Sequence, residues 1–228
     1  MGFIEEKGIK AILFDIDGTL YDKKFMNLYL FKCALLNPFF SISYSKMRKA
    51  IRSLDKLDVK PVMRLSEFRR KEAGVIKPGF DEAWFAKYLK KYDKMNTHWI
   101  NSYRAVPFDN MQNTLKRAKE EGLLLGALSD FPLGRKLDIL GVAPLVDYKA
   151  SAEDYGYLKP NPVPFCAMLR ALDLKSDEAI YLGDSYSKDV VGAKNVGMYT
   201  ALITHKGGDF PKADLVVKNW NELYNELF

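Results

Sequence analysis

The hydrophobic positions of this chain form short, nearly continuous runs that lack polar alternation. The first run is IKAILFD at residues 9–15. Comparable runs follow at residues 123–129, 178–184, 198–204 and 213–217, with a weaker one at 145–150. Because a strand that is covered on both faces shows no polar alternation, each run predicts a buried strand of a parallel sheet.

Stretches with helical spacing of their apolar residues separate these runs. They lie at residues 109–121, 132–140, 162–172 and 186–196, with a last one from about 219. Three of them end at a glycine (Gly122, Gly141 and Gly197), which suits a left-handed C-terminal cap. Alternating strands and helices favour an α/β fold, so we predict a Rossmann-like, doubly wound and mostly parallel sheet.

Residues 23–104 break this alternation. They are rich in Lys, Tyr, Phe and Met, they carry helix-like apolar spacing, and they contain no run that predicts a buried strand. We therefore predict two domains. Residues 1–22 and 105–228 would form the α/β core, and residues 23–104 would form an inserted, all-helical cap domain that covers the end of the first strand.

The net charge of +6 is concentrated in this insert. Residues 23–104 hold 19 Lys and Arg against 7 Asp and Glu, whereas the rest of the chain is acidic overall. A basic excess attracts anionic partners such as phosphorylated small molecules, nucleic acids or anionic surfaces. A solvated, lysine-rich helical face would give the same composition, so both interpretations stay open at this point.

The composition is that of a globular protein. No apolar stretch approaches the roughly 20 residues of a membrane span, and residues 1–10 lack the apolar core of a secretory signal, so we expect a cytoplasmic location and no membrane partner. Cys33 and Cys166 lie far apart, which argues against a disulfide framework and a soft-metal site. We expect both to be small buried hydrophobes.

Polar side chains collect where the predicted strands end. Asp15, Asp17 and Gly18 follow the first strand. The other ends supply Ser129 and Asp130 after the second strand, Asp184 after the fourth with Asp189 a turn later, and Lys159 in the loop LKPNP. Each residue alone could belong to a turn, a helix cap or a solvated surface. Ligands of open parallel sheets bind beyond the carboxyl ends of the strands, so together these residues predict one site.

The chemistry of this group points to a metal and a phosphate. Asp15, Asp17 and Asp184 would repel one another in a cleft unless a cation compensated them. Oxygen ligands without accompanying His or Cys favour Mg²⁺ over Zn²⁺. Ser129, Lys159 and the backbone N–H groups around Gly18 could hold phosphoryl oxygens, so the predicted reaction class is phosphoryl transfer.

Four segments carry a family resemblance. DIDGTLYD, LSD, LKPNP and GDSYSKDVVGAKNVGM resemble, in this order, the four motifs of the haloacid dehalogenase superfamily, in its branch with a helical cap after the first motif. The resemblance covers residues 9–22 and about 105–217. It implies a Mg²⁺-dependent phosphatase that hydrolyses a small-molecule phosphate monoester through an aspartyl-phosphate.

The resemblance also implies a role for each matching residue. Asp15 would be the nucleophile, and Asp17 would be the general acid and then the general base. Mg²⁺ would be held by the side chains of Asp15 and Asp184 and by the backbone carbonyl of Asp17. Asp189 would assist without binding the ion directly, by orienting metal-bound water or Lys159. The phosphoryl group would be bound by Gly18, Ser129, Asp130 and Lys159, of which Ser129 and Lys159 also count as catalytic.

Asp17 helps to choose among the reactions of the superfamily. The dehalogenases lack an acid at this position, so its presence argues against dehalogenation. A phosphomutase, which returns the phosphoryl group to its substrate, remains an alternative. So does a nucleic-acid or anionic-surface binder that uses the basic cap, although an intact pair of Asp15 and Asp17 argues against it. The expected partner is a small, anionic, phosphorylated substrate, and the sequence does not fix the oligomeric state.

The cap is expected to set substrate choice. Tyr21 and Arg104, at the two hinges of the insert, are candidate contacts for the substrate. Lys188 stands where the family often has Asn, and a cation there could weaken the binding of a metal at Asp184 and Asp189.

Overall fold

The computed structural model describes residues 2–54, 63–101 and 105–228. The strands are β1 (Ala11–Phe14), β2 (Leu124–Ser129), β3 (Tyr148–Ser151), β4 (Ala179–Gly183), β5 (Tyr199–Ile203) and β6 (Leu215–Val217). They form one sheet in the order β3-β2-β1-β4-β5-β6, and every neighbouring pair is parallel. Each predicted run has become a strand, so the predicted α/β fold is confirmed.

Helices cover both faces of this sheet. In the described residues they are α1 (Phe3–Lys7), α2 (Lys24–Leu36), α3 (Pro38–Leu54), α4 (Leu65–Ile76), α5 (Glu82–Asn101), α6 (Met111–Glu120), α7 (Lys136–Ile139), α8 (Pro162–Ala171), α9 (Val191–Lys194) and α10 (Trp220–Leu227). Side chains of α1, α6, α7 and α10 pack on one face, and those of α8 and α9 pack on the other.

The strand β1 shows why the apolar runs are continuous. Ile12 and Phe14 belong to the hydrophobic cluster that contains Trp220, whereas Leu13 belongs to the opposite cluster, which contains Phe165. Successive side chains of a strand point to opposite faces, and here both faces are buried under helices. No polar position is therefore tolerated until the strand ends at Asp15.

The register of the central strands brings their ends to one edge. Phe14 pairs with Ala127 of β2 and with Leu182 of β4. Because the three strands are parallel and in step, the residues that follow them emerge side by side. The loop after β1 is fixed further by Trp220, whose indole Nε1–H donates a hydrogen bond of 2.8 Å to the carbonyl oxygen of Thr19.

The chain leaves and re-enters the core at adjacent points. Tyr21 forms an isolated antiparallel bridge with Pro107, and the backbone N–H of Phe108 donates to the carbonyl of Leu20 at 3.0 Å. Between these points the described residues form the four helices α2 to α5 and contain no strand. These helices pack on one another through aromatic and aliphatic side chains. The division into a core domain and a cap domain remains a prediction.

Several local predictions differ from the structure. The stretch 186–196 is a π-helical turn, Tyr186–Val190, followed by α9, and the stretch 132–140 is helical only in α7. The helix α1 has too few residues to show a periodic pattern and was not predicted. Cys166 is exposed, so its expected burial is wrong. None of the helices in the described ranges has both the length and the apolar character that a membrane span needs.

The bond between Trp220 and Thr19 can be tested by Trp220→Phe. The variant removes the indole donor and leaves the carbonyl of Thr19, a fully buried residue, without it. We expect the free energy of unfolding to fall by about 1–3 kcal/mol, with a further loss from the smaller ring. Urea denaturation measures this change. Tyr224→Phe, on the same helix, is the control, and equal stability of the two variants would contradict the assignment.

Candidate active site

A buried lysine organises the end of the central strands. Lys159 is 2% exposed, and its ammonium lies 2.6 Å from Asp15 Oδ1 and 2.7 Å from Asp189 Oδ1. It also donates to the carbonyl of Leu128 and to the hydroxyl of Tyr181, both at 3.2 Å. Burial opposes its charge, but Asp15 and Asp189 outweigh burial and raise the pKa of Lys159 well above its usual value. The structure thus brings three of the predicted site residues into direct contact.

The second acid of the first motif has separate partners. Asp17 Oδ2 accepts hydrogen bonds from the Ser129 hydroxyl at 2.8 Å and from the Lys136 ammonium at 2.7 Å. Asp17 Oδ1 accepts a bond of 2.5 Å from the Tyr21 hydroxyl. Burial would raise the pKa of Asp17, but the charge of Lys136 and these three hydrogen bonds prevail and lower it. Asp17 is therefore held as a carboxylate.

Asp15 is in a different electrostatic position. It is 6% exposed, and burial raises its pKa to about 6, with the nearby charges of Asp189 and Asp17 acting in the same direction against the opposing charge of Lys159. One ammonium, Lys159, is shared between Asp15 and Asp189, so neither carboxylate has a full counter-charge of its own. The two acids of the first motif therefore differ in how completely their charge is compensated.

Three carboxylates lie close enough together to hold one cation. Oxygens of Asp15, Asp184 and Asp189 lie within 4.8 Å of one another. Asp184 Oδ1 is buried and has no hydrogen-bond partner within the described residues. A hard, oxygen-binding ion held by this cluster could supply the partner that this buried oxygen lacks. The donor set fits Mg²⁺, and the side chain of Asp17, turned toward Lys136, lies outside it.

A lysine that was not predicted lies beside this cluster. The Lys23 ammonium is 2.6 Å from Asp184 Oδ2. Gly18, with φ 94°, makes room for it, since a Cβ there would collide with the Lys23 side chain and lie 2.7 Å from Asp184 Oδ2. The cation that pairs with Asp184 is thus Lys23, whereas the side chain of Lys188 lines a cavity under the helices of the insert.

Asp130 connects the strand ends to the inserted helices. Its Oδ2 accepts a bond of 2.7 Å from Arg52 Nη2, and its backbone carbonyl accepts one of 2.7 Å from Arg48 Nη2. Its Oδ1 accepts the backbone N–H of Lys159 at 2.9 Å. Burial alone would raise the pKa of Asp130. The nearby positive charges, of which Arg52 and Lys159 have the largest effect, instead hold this pKa far below its usual range. Its carboxylate would repel a phosphate, so any phosphate contact at Asp130 would have to come from its backbone.

A second ionic cluster joins the core to the helices α3 and α4. Glu153, which was assigned no role from the sequence, is fully buried and accepts hydrogen bonds from Arg48 and Arg69. The hydroxyl of Tyr92 donates to the same carboxylate at 2.7 Å. Two guanidinium groups and a phenol leave Glu153 fully paired. It holds the insert in place and has no free capacity for chemistry.

The structure does not show either of the two predicted substrate contacts, Tyr21 and Arg104, in a position to contact a substrate. Tyr21 is 1% exposed and binds Asp17, so it belongs to the core of the site and cannot face a substrate in this arrangement. Arg104 lies outside the described residues. Lys136 and Lys23 are the functional candidates that sequence reasoning missed, because neither stands in a motif or at a strand end.

Comparison with known proteins agrees with this geometry. Residues 12–203 match the haloacid dehalogenase-like hydrolase family. A glyceraldehyde 3-phosphate phosphatase from Methanocaldococcus jannaschii is 31% identical over 210 residues, which cover 86% of this chain and 85% of that protein. The chain belongs to the haloacid dehalogenase-like hydrolases, and the resemblance seen in its four motifs is confirmed.

Further relatives cover nearly the whole chain. Pyrophosphatase PpaX from Halalkalibacterium halodurans is 25% identical and spans 94% of this chain and 95% of its own. The crystal structure of a phosphatase of the same superfamily from Thermococcus onnurineus superposes with a TM-score of 0.61 at 25% identity, covering 95% and 97% of the two chains. A 2-haloacid dehalogenase from Pseudomonas syringae has a TM-score of 0.66 at 22% identity over 96% and 98%, which shows the shared fold alone.

Because burial raises the pKa of Asp15, we predict that the effect of Asp15→Asn on stability depends on pH. The pKa of Asp15 is about 6 when folded against an ordinary 3.8. Between about pH 4 and pH 6, Asp15 is protonated in the folded protein but ionised in the unfolded chain. Ionisation of Asp15 therefore lowers the free energy of unfolding by its full amount above about pH 6 and has no effect below about pH 4. Asparagine never ionises. In metal-free buffer we expect the variant to be more stable by on the order of 1–3 kcal/mol at pH 8, with no difference near pH 4.

Thermal and urea unfolding across pH measure this difference. Asp209→Asn, at an exposed position, is the control and should leave the pH profile unchanged. If Asp15→Asn is destabilised at pH 8, or if its effect on stability does not change with pH, burial does not raise the pKa of Asp15.

Proposed function

We propose that this chain is a Mg²⁺-dependent phosphatase that hydrolyses a small-molecule phosphate monoester through an aspartyl-phosphate on Asp15. The observation that carries the proposal is the unequal pairing of two neighbouring carboxylates. Asp15 shares Lys159 with Asp189. Asp17 pairs with Lys136 and also accepts hydrogen bonds from Ser129 and Tyr21. The names of relatives support it: one is a glyceraldehyde 3-phosphate phosphatase and another a pyrophosphatase.

The first step is an attack by Asp15 on phosphorus. A bond forms between a carboxylate oxygen of Asp15 and phosphorus, and the bond from phosphorus to the leaving oxygen breaks. The leaving oxygen takes a proton from Asp17 and departs as an alcohol. Lys159, 2.6 Å from Asp15, orients the nucleophile and supplies positive charge beside the phosphoryl oxygens.

The second step returns Asp15 to its free form. Water attacks the phosphorus of the aspartyl-phosphate and gives a proton to Asp17, and the bond between Asp15 and phosphorus breaks to release inorganic phosphate. The lowered pKa of Asp17 keeps it ionised, which suits a base. Its earlier role as an acid needs a higher pKa, and the negative charge of an incoming phosphate ester would act in that direction.

The carboxylate cluster would hold the metal. Asp15 and Asp184 offer side-chain oxygens, Asp17 its backbone carbonyl, and Asp189 lies against them with Oδ2 fixed by the backbone N–H of Ser185 at 3.0 Å. A bound Mg²⁺ would supply positive charge to these carboxylates and to the phosphoryl oxygens. Asp184 Oδ1 is buried and unpaired within the described residues, and such an ion would give it a partner.

Phosphate release from a panel of monoesters tests the proposal. We expect turnover that needs Mg²⁺ and is lost with a chelator. Asp15→Asn should reduce kcat by at least about 10³-fold, because the covalent step has no substitute. Asp22→Asn is the matched control, since Asp22 lies in the same motif but pairs with Lys24. Undiminished hydrolysis by Asp15→Asn would exclude the covalent mechanism. If a bisphosphorylated sugar activated the interconversion of sugar phosphate isomers, that result would favour the phosphomutase.

The salt bridge of Lys23 with Asp184 predicts tighter metal binding when it is removed. An ammonium 2.6 Å from a metal ligand repels an arriving cation, and a divalent ion must displace it. We expect Lys23→Gln to lower the Kd for Mg²⁺ by about tenfold, an effect of about 1.4 kcal/mol. Isothermal titration calorimetry with MgCl₂ measures it without turnover. Lys24→Gln, next to it but 87% exposed, should bind as the parent does, and weaker binding at position 23 would refute the competition.

A further inference from the structure

A cavity of about 580 Å³ lies between the inserted helices and the candidate active site. Its core side is formed by Phe131 and Lys188. Phe131 donates its backbone N–H to the Ser129 hydroxyl at 3.0 Å, and Lys188 directly precedes Asp189. Arg52, on the wall from α3, donates to the carbonyl of Lys159 at 3.2 Å. The cavity thus borders residues that adjoin or contact Ser129, Asp189 and Lys159, and a substrate with its phosphate at Asp15 could place its leaving group there.

One part of the wall is apolar. Met26, Tyr29 and Leu30 from α2, Met95 from α5 and Phe131 from the core all line it. The volume lies within the range of roughly 300–1,000 Å³ that is typical of sites for drug-sized ligands. A three-carbon sugar would leave most of this apolar wall in contact with water, whereas an aromatic or aliphatic body would cover it.

The other part of the wall is positively charged. Among the described residues the lining includes Arg48, Lys49, Arg52 and Lys188 and no Asp or Glu. Arg48 and Arg52 are already paired, with Glu153 and with Asp130.

Lys49 and Lys188 differ from the two arginines. Within the described ranges neither lysine side chain has a hydrogen bond or an ion pair, and Lys188 acts on the already paired Asp130 only at longer range. Two cations beside an apolar wall, with no counter-charge of their own, attract an anion that arrives with the ligand.

Building on the proposed phosphatase activity, we propose that the leaving group of the substrate has an apolar body and carries an anionic group of its own, which Lys49 and Lys188 bind. The scissile phosphate does not need them, because Lys159 lies next to the nucleophile. A phosphate ester with a small, uncharged leaving group would use neither the apolar wall nor the two lysines. The substrate class is thus an amphiphilic phosphate monoester with a second negative charge, either a carboxylate or another phosphate.

A matched pair of aryl phosphates tests this class. One ester carries a carboxylate on a two-carbon spacer, and the other carries the corresponding carboxamide, so size and leaving-group basicity are the same. We expect the carboxylate ester to have a kcat/KM about tenfold higher, mostly through a lower KM, since a hydrogen bond to a charged group is worth roughly 1.5–3 kcal/mol. A third ester, with a phosphate in place of the carboxylate, shows which anion is preferred.

Single and double variants Lys49→Gln and Lys188→Gln should bring this ratio toward one. Lys46→Gln is the control, because Lys46 is exposed on the same helix and does not line the cavity. Equal turnover of the two esters by the parent protein, or a preference that survives in the double variant, would overturn the inference while leaving the phosphatase proposal intact.

Calorimetry with the phosphonate analogues of both esters gives the same comparison without turnover. Tighter binding of the carboxylate phosphonate that depends on the two lysines would support the anion site, whether or not the esters are hydrolysed. Absence of ester hydrolysis would count against the phosphatase proposal alone. Equal affinity of the two phosphonates for the parent would overturn the anion site.

Discussion

The ion pairs of Lys159 are the interaction on which the rest of this site depends. A parallel sheet delivers the residues after β1, β2 and β4 to one edge, and in this chain those residues are carboxylic acids. Buried carboxylates repel one another and lose their hydration, so they can be brought together only with cations among them. Lys159 compensates Asp15 and Asp189 at once. Lys136 does the same for Asp17, and Lys23 for Asp184.

The same rule governs the contact between the core and the inserted helices. Arg52 pairs with Asp130, and Arg48 and Arg69 share Glu153. Such pairs lose hydration when they are buried, and breaking one by removing a single partner typically costs about 3–5 kcal/mol because it leaves a bare charge behind. These contacts therefore fix where α3 and α4 lie over the strand ends more than they add to net stability.

Much of this arrangement follows from local sequence patterns. The strands were predictable because each is covered on both faces and must be apolar throughout, and Asp15, Ser129 and Asp184 were predictable because they stand where such runs stop. The roles implied for these residues remain proposals, but the structure places Asp15, Lys159 and Asp189 in contact.

The partners of these acids could not be found in the same way. Lys136 and Asp17 are 119 positions apart, and Lys23 and Asp184 are 161 apart. Glu153 meets Arg48 across 105 positions. An ion pair between distant segments has no periodicity and no preferred spacing, and lysine and arginine are common on any surface. Only the packed fold shows which of the many basic residues are buried against an acid.

The origin of each cation has a consequence for how such an enzyme can diversify. Lys159 and Lys136, which pair with Asp15 and Asp17, lie in the α/β part of the chain. Lys23, which pairs with Asp184, and the arginines Arg48, Arg52 and Arg69 lie in the inserted segment. Asp15 and Asp17, the carboxylates to which we assign the reaction, thus take their counter-charges from a part of the chain that the insert does not supply. Substitutions around the cavity in the insert would therefore leave the ion pairs of Asp15 and Asp17 in place. If the reaction proceeds as we propose, the insert could change its substrate in small steps while the chemistry at Asp15 and Asp17 stays the same.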